Sequence, residues 1–416
     1  MNESPIATDS SSTTCLKTGC CIAGGGPAGL MLGYLLARAG VEVTVLEKHA
    51  DFLRDFRGDT IHPSTLDVMH ELGLLDEFLK LPHTRLYQAT ARVEGREFTL
   101  ADFSGLPVRC PYIAMMPQWD FLNFLAERAA QFPNFRLLMS TEATGLLVGG
   151  EGIIGARARN EGETLDIYAN LTISADGRNS VLRNAAGLSV RTFGAPMDVF
   201  WLRLPRREQD AGAPLFNIGG GCMFITIDRG DYWQCAYVIP KGKEDEIRGQ
   251  GLEAFRRRIA AAAPQLAEAA QALRSLDDVK LLTVRLDRLR DWARPGFLVI
   301  GDAAHAMSPV GGVGVNLAIQ DAVAAANLLG APLLAGAPSL AQLQAVQKRR
   351  LWPVRTTQWA QRLIQDRIIG RALTPGAGFR PPLVFYLLDA WPVLRRFPAR
   401  AIGYGARPEQ VLNTGG

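Results

Sequence analysis

Three glycines at fixed spacing near the amino terminus constrain this chain more than any other feature. Gly24, Gly26 and Gly29 follow a short apolar run at 18–24 and open a segment with helical periodicity through Leu30, Tyr34, Leu35 and Ala37. Gly40 ends that segment, and 41–47 reads as a second buried strand closing on Glu47. Strand, helix and strand in that order form a βαβ unit, which commits the chain to a parallel sheet. Gly24 permits the tight turn, Gly26 lets backbone approach a pyrophosphate, and Gly29 allows the helix to pack closely on the strand. Pro27 and Ala28 open the helix itself. Free N–H groups and the helix dipole favour an anion at this end, and Glu47 is placed to accept ribose hydroxyls. A second G-x-G-x-x-G, at Gly150, Gly152 and Gly155, continues as strand and turn and reads as a hairpin.

The wider composition narrows the function classes. A chain of 416 residues supports two or three structural units with a sizeable core. A net charge of +4 is too small to argue for nucleic acid, though a modest basic surplus suits anionic dinucleotides. Cys15, Cys20, Cys21, Cys110, Cys222 and Cys235 form no C-x-x-C pair, so no metal site or redox dithiol is expected, only reduced and mostly buried thiols. Residues 1–16 are Ser/Thr-rich without signal-peptide anatomy and are expected to be a disordered extension. The most apolar stretch, 311–336, carries Asn316, Asp321 and Asn327, which argues against a transmembrane segment. The chain is therefore assigned to the cytoplasm.

Further along, 86–93 and 96–101 form a hairpin joined at Glu94 and Gly95, and 118–131 reads as a helix. Between 196 and 289 the pattern becomes β-rich, with one amphipathic helix expected over 244–262, the makeup of a mainly antiparallel sheet. The last eighty or so residues read as helical. The fold class is thus α/β. A Rossmann-like nucleotide domain is formed by 17–80 with 112–190 and 287–330. An inserted antiparallel substrate domain is formed by 81–111 with 191–286, and a helical segment by 331–416. Residues 381–404 mix apolar side chains with arginines, a composition that suits either packing on the body of the protein or a membrane surface.

A buried strand at 297–300 ends in Gly301 and Asp302, followed by Pro309, Gly311, Gly312, Gly314, Val315 and Asn316 at the start of a long helix. A carboxylate at a strand end can bind a polyhydroxylated chain, and glycines before a helix expose N–H groups to a developing anion. With the glycine turn and with Asp176, Gly177, Arg178, Ser180 and Arg183 between them, this order resembles the class A flavoprotein monooxygenases, the para-hydroxybenzoate hydroxylase family. The resemblance implies FAD as cofactor, NADPH or NADH as reductant and oxygen as co-substrate. It implies hydroxylation of an aromatic or polycyclic small molecule through a flavin C4a-hydroperoxide. It assigns Asp302 to the FAD ribityl or pyrophosphate region and Asp176 to the dinucleotides. By the same resemblance Arg57 and Gln118 would contact the flavin, Val315 and Asn316 would donate N–H groups to its pyrimidine edge, and Pro309 would border its substrate side.

The sheet aromatics Trp201, Phe224, Trp233 and Tyr237, with Pro309, Val310 and Gly311, are the candidate substrate residues. The aromatics either wall a pocket or form core. No catalytic base stands out among His49, His62, His70, His83 and His305. The W-x-W-x-I-P motif of related halogenases is replaced by Cys235 and Tyr237 ahead of Ile239 and Pro240, which argues against halogenation. Val313 stands where many relatives carry glutamine, and the helical reading of the last eighty or so residues sets the expectation of no thioredoxin-like domain. A dehydrogenase or reductase of the same fold, or a non-catalytic flavin-binding subunit, are the alternatives.

Overall fold

The computed structural model describes residues 14–53, 60–207, 215–374 and 379–412. Its first sheet grows from the βαβ unit. Thr14–Ala23 pairs in parallel with Val43–Leu46 on one side and with Glu163–Ser174 on the other. Phe135–Leu138 extends one edge and Phe297–Val299 the other, both in parallel. Every residue of Val43–Leu46 is buried, as a strand covered on both faces requires. The Pro27–Arg38 helix packs against the long Gly314–Ala335 helix over this sheet. By length and composition the stretch Val310–Ala335 is apolar enough to cross a membrane, but 72% of its apolar 18-residue window is buried inside the fold, as in a core helix.

The strand at the amino terminus starts earlier than the sequence suggests. Thr14, Cys15 and Leu16 pair with Leu165, Asp166 and Ile167, so the expected disordered extension cannot reach residue 16. The second glycine match is a hairpin, Thr141–Gly149 with Gly152–Asn160. A Cβ on Gly155 would stand 2.0 Å from the Ile167 oxygen, so close strand packing accounts for that glycine without a phosphate.

The second sheet runs Lys280–Leu282, Met197–Pro205, Tyr232–Pro240, Cys222–Asp228, Phe216–Gly219, Gln88–Val93 and Arg96–Asp102 in spatial order. All its pairings are antiparallel except that of Phe216–Gly219 with Gln88–Val93. Glu94 and Gly95, both at positive φ, make the tight hairpin turn. The single helix expected over 244–262 is two helices, Glu244–Gly249 and Leu252–Ala262. Gly251, at φ 82°, breaks it, because a left-handed residue cannot continue a right-handed helix. Leu252–Ala262 covers the back of this sheet through Phe255 and Ile259.

Candidate functional site

The strand ends at Ala23, Ser174 and Val299 bring the three sequence motifs to one edge of the parallel sheet. A Cβ on Gly24 would lie 2.4 Å from the Ala175 oxygen, and one on Gly29 only 1.9 Å from the Gly24 oxygen. Gly26 differs: its Cβ would meet nothing within 4 Å. That open side lies at the start of the Pro27–Arg38 helix, where no side chain caps the N–H groups. The arrangement leaves helix donors facing space that a diphosphate can fill. Glu47 is buried and accepts bonds from the N–H groups of Gly25 and His49, at 3.1 Å each.

The late loop converges on the same place. A Cβ on Gly301, at φ 61°, would stand 3.0 Å from the Cβ of Ala28. Asp302 lies in the short turn Gly301–Ala303, with Oδ2 3.1 Å from Nη2 of Arg178. Arg183 is buried, donating to the carbonyls of Ala303 and Arg178 at 2.9 and 3.1 Å. Asp176, expected at the dinucleotides, engages both oxygens within its own turn. It accepts from Ser174 Oγ at 2.6 Å and from the Val181 N–H at 2.9 Å. The middle motif instead sends Arg178 to Asp302. Gln118 is half-buried at the start of the Gln118–Ala129 helix, and Arg57 lies outside the described residues.

The Gly314–Ala335 helix begins without a side-chain cap, so the N–H groups at Gly314, Val315 and Asn316 are free to serve an anion. The Asn316 side chain has a role that sequence reading missed. Its Oδ1 accepts from the His62 N–H at 3.0 Å and Thr65 Oγ1 at 2.7 Å, and its Nδ2 donates to the Thr60 and Gly312 carbonyls. Thr60 Oγ1 donates to the Gly312 carbonyl at 2.9 Å. These bonds hold 60–65 against the glycine loop across some 250 residues of sequence.

Behind the glycine loop, three buried glutamines on neighbouring turns of the carboxy-terminal helices bond its backbone. Gln358 donates to the Asp287 and Ala306 carbonyls, Gln361 to those of Ser308 and Val310, and Gln365 to Ser308 Oγ. Beneath them lies a fully buried ionic group. Asp321 accepts from Arg350 Nε at 2.9 Å and faces His305 Nε2 at 2.6 Å, and its Oδ2 also accepts the Gly301 N–H at 3.1 Å. Arg350 continues to Glu409 at 3.2 Å.

The sheet aromatics divide between two faces. Tyr237 pairs with Phe200 and Phe224, and Trp233 with Leu204, while Trp201 pairs with Ala236. Cross-strand neighbours share a face. Phe224, Trp233 and Tyr237 therefore belong to the back cluster under Phe255 and Ile259, and they are core rather than substrate residues. Trp201 faces the other way and is partly exposed, as are Phe216 and Ile225. All three pack on the front cluster that Val310 of the glycine loop also joins. Pro309 and Gly311 lie in the same loop, half-buried, with Gly311 at φ 78°.

His62 is fully buried, with Nδ1 2.8 Å from the Ile402 oxygen. Burial pushes its pKa from 6.5 down to about 4, against a smaller upward pull from that carbonyl. The unfolded chain takes up a proton near 6.5 that the folded protein refuses until about 4. Stability should therefore fall by roughly 3 kcal/mol as pH drops through that window, and His62 should contribute no slope above it. Thermal unfolding against pH should show a shallower slope in His62→Gln, and identical slopes would contradict this assignment.

Comparison with known proteins agrees with this geometry. The family described as FAD binding domain matches residues 17–360. A 6-methylpretetramide 4-monooxygenase of Streptomyces rimosus is 32% identical over 396 residues, covering 95% of this chain and 94% of that protein. The OxyS anhydrotetracycline hydroxylase of Streptomyces rimosus superposes with a TM-score of 0.73 at 23% identity, over 93% of this chain and 76% of that one. The p-nitrophenol 4-monooxygenase PnpA of Pseudomonas putida DLL-E4 gives 0.75 at 19% identity, over 95% and 100%. At such identities the two structures speak for the fold. The uncapped helix start, the glycine that opens onto space and the Asp302 turn beside it fit FAD, and with these matches they place the chain in the FAD-binding-domain family, as a class A flavoprotein monooxygenase.

Proposed function

We propose that this enzyme hydroxylates an aromatic or polycyclic small molecule, consuming one NAD(P)H and one oxygen molecule per product and releasing water. The observation that carries this reading is the apolar front face of the antiparallel sheet. Trp201, Phe216 and Ile225 are left partly exposed there, packed on the cluster that Val310 beside the cofactor loop also joins. Such a surface suits a flat hydrophobic acceptor and excludes water from it. The name of the 32% identical relative, 6-methylpretetramide 4-monooxygenase, supports the same substrate class. Bound FAD supplies hydride acceptance and oxygen activation, and the chain supplies position and dryness.

The reductant reaches the flavin by a polar route. A cleft of about 410 Å³ is lined by Arg178, Arg183, Lys241, Arg285 and Asp287, next to the Arg178–Asp302 pair. Its cationic rim suits the phosphates of NAD(P)H. We place this chemistry in the cytoplasm, where NADH and NADPH are both generated.

A screen of aromatic and polycyclic compounds, following NAD(P)H oxidation and oxygen uptake by the purified yellow protein, tests the proposal. Matched consumption of both with a hydroxylated product is expected. Product formed at full rate without oxygen would assign a dehydrogenase instead. Within that assay, Trp201→Ala should raise KM about tenfold or uncouple NAD(P)H oxidation from product while lowering Tm less than loss of a fully buried indole does. Trp233→Ala should lower stability by about 3–5 kcal/mol, as loss of a buried indole does. Equal effects of the two on Tm would contradict the division of faces.

A further inference from the structure

The carboxy-terminal segment shows large apolar side chains to solvent. Leu383, Trp391, Val393 and Phe397 are 72, 59, 67 and 70% exposed. Leu383 and Phe397 stand on two short helices, Leu383–Ala390 and Arg396–Gly403, Val393 on the turn Pro392–Arg395 that packs on both, and Trp391 at the junction of the first helix with that turn. The segment is firmly built. Phe385 is buried, with its ring 5.8 Å from that of Phe98, and Arg395 donates to the Leu388 and Asp389 carbonyls. A soluble surface rarely leaves so many large apolar groups exposed together, so something covers them.

Charge identifies the cover. The exposed charged residues of 379–404 are Arg380, Arg396 and Arg400. Asp389 is half-buried and paired with Arg96 and Arg395. A second copy of the chain would set cation against cation, whereas anionic headgroups complement the arginines while apolar groups enter the acyl boundary. Trp391 and the partly exposed Tyr386 are the residue types that settle at that boundary.

We propose that this segment docks the enzyme peripherally on an anionic lipid bilayer, with Trp391, Val393, Phe397 and Leu383 inserted and the arginines at headgroup level. The docking stands apart from the substrate reading. It would nevertheless bring lipid close to the crevice, because Ile402 on the same helix lies 3.9 Å from where a Cβ on Gly311 would stand.

Flotation of the full FAD-loaded chain with phosphatidylcholine vesicles, with and without phosphatidylglycerol, tests this. Salt-sensitive flotation with the anionic vesicles is expected. A Trp391→Ser, Phe397→Ser double variant should partition at least about tenfold more weakly, and Arg396→Glu with Arg400→Glu should remove the preference for anionic lipid. Retained flavin content shows that each variant is folded. Absence of flotation at low salt, equal partitioning to both vesicle types, or flotation unchanged in both variants would each overturn the proposal. A wild-type dimer that ignores vesicles and becomes monomeric in the serine variant would overturn it too, assigning the patch to a second copy.

Discussion

Alanine at Gly26 is expected to give a folded protein that has lost most of its affinity for FAD, whereas alanine at Gly24 is expected to prevent the turn from forming. At Gly26 the backbone is ordinary, φ −78° and ψ −174°, and a methyl group meets nothing of the protein within 4 Å. The methyl would stand where a pyrophosphate approaches and would push it off the helix donors. The cost is on the order of 3 kcal/mol of binding, roughly a hundredfold in Kd. At Gly24 a methyl combines φ 107° with a 2.4 Å approach to the Ala175 oxygen, a cost to folding of about 2–5 kcal/mol. Flavin content of the purified proteins and thermal unfolding with added FAD separate the two. A Gly26→Ala protein that keeps stoichiometric FAD with unchanged affinity would show that this helix end is not the cofactor site.

The second large effect concerns Arg350. Replacement by methionine leaves Asp321 and Glu409, both buried, without their shared cation. Removing one partner of a buried ion pair costs about 3–5 kcal/mol, and because His305 still faces Asp321 and Arg349 still pairs with Glu409, the loss should sit at the lower end of that range. The Gly301 N–H rests on the same Asp321 carboxylate, so weaker FAD binding should accompany the fall in Tm. An Arg350→Met, Asp321→Asn double variant should lose less than the sum of the single losses. Additive losses would show that the pair does not act as a unit.

Asp321 also sets a pH limit. Burial, the largest influence, pushes its carboxyl upward, but the facing His305 and Arg350 outweigh it and hold the group below the usual carboxylate range. Its contribution is present above the unfolded value of about 3.9 and is lost as pH falls through the lower folded value. Acid unfolding should thus proceed in two windows, the His62 window first and the Asp321 window below it.

What was legible in the sequence was local. Gly24, Gly26 and Gly29 act within one turn, so their spacing alone specified the strand, the helix and the open side between them. Alternation likewise put Trp233 and Tyr237 on one face, but it could not say whether that face meets helices or the crevice. The answer lies in Phe255 and Ile259, which belong to a different element. The break at Gly251 was readable in principle, since one glycine stands inside a periodic run. The bonds from Asn316 to His62 and from Arg350 to Asp321 were not, because neither the 254-residue nor the 29-residue separation leaves a pattern. The bonds of Asp176 within its own turn were not legible either, because an acid beside a glycine has the same local signature whether it caps a turn or meets a ligand.

The row of glutamines behind the glycine loop carries a mechanical consequence. Gln358, Gln361 and Gln365 grip carbonyls and a hydroxyl at 287, 306, 308 and 310 through neutral amides, which neither gain nor lose a proton across the working pH range. Helix and loop are therefore clamped into one rigid piece. Any sliding or tilting of that helix is handed undiminished to the floor on which an acceptor would lie, so a push applied far out along it becomes a change of aim at the reacting carbon.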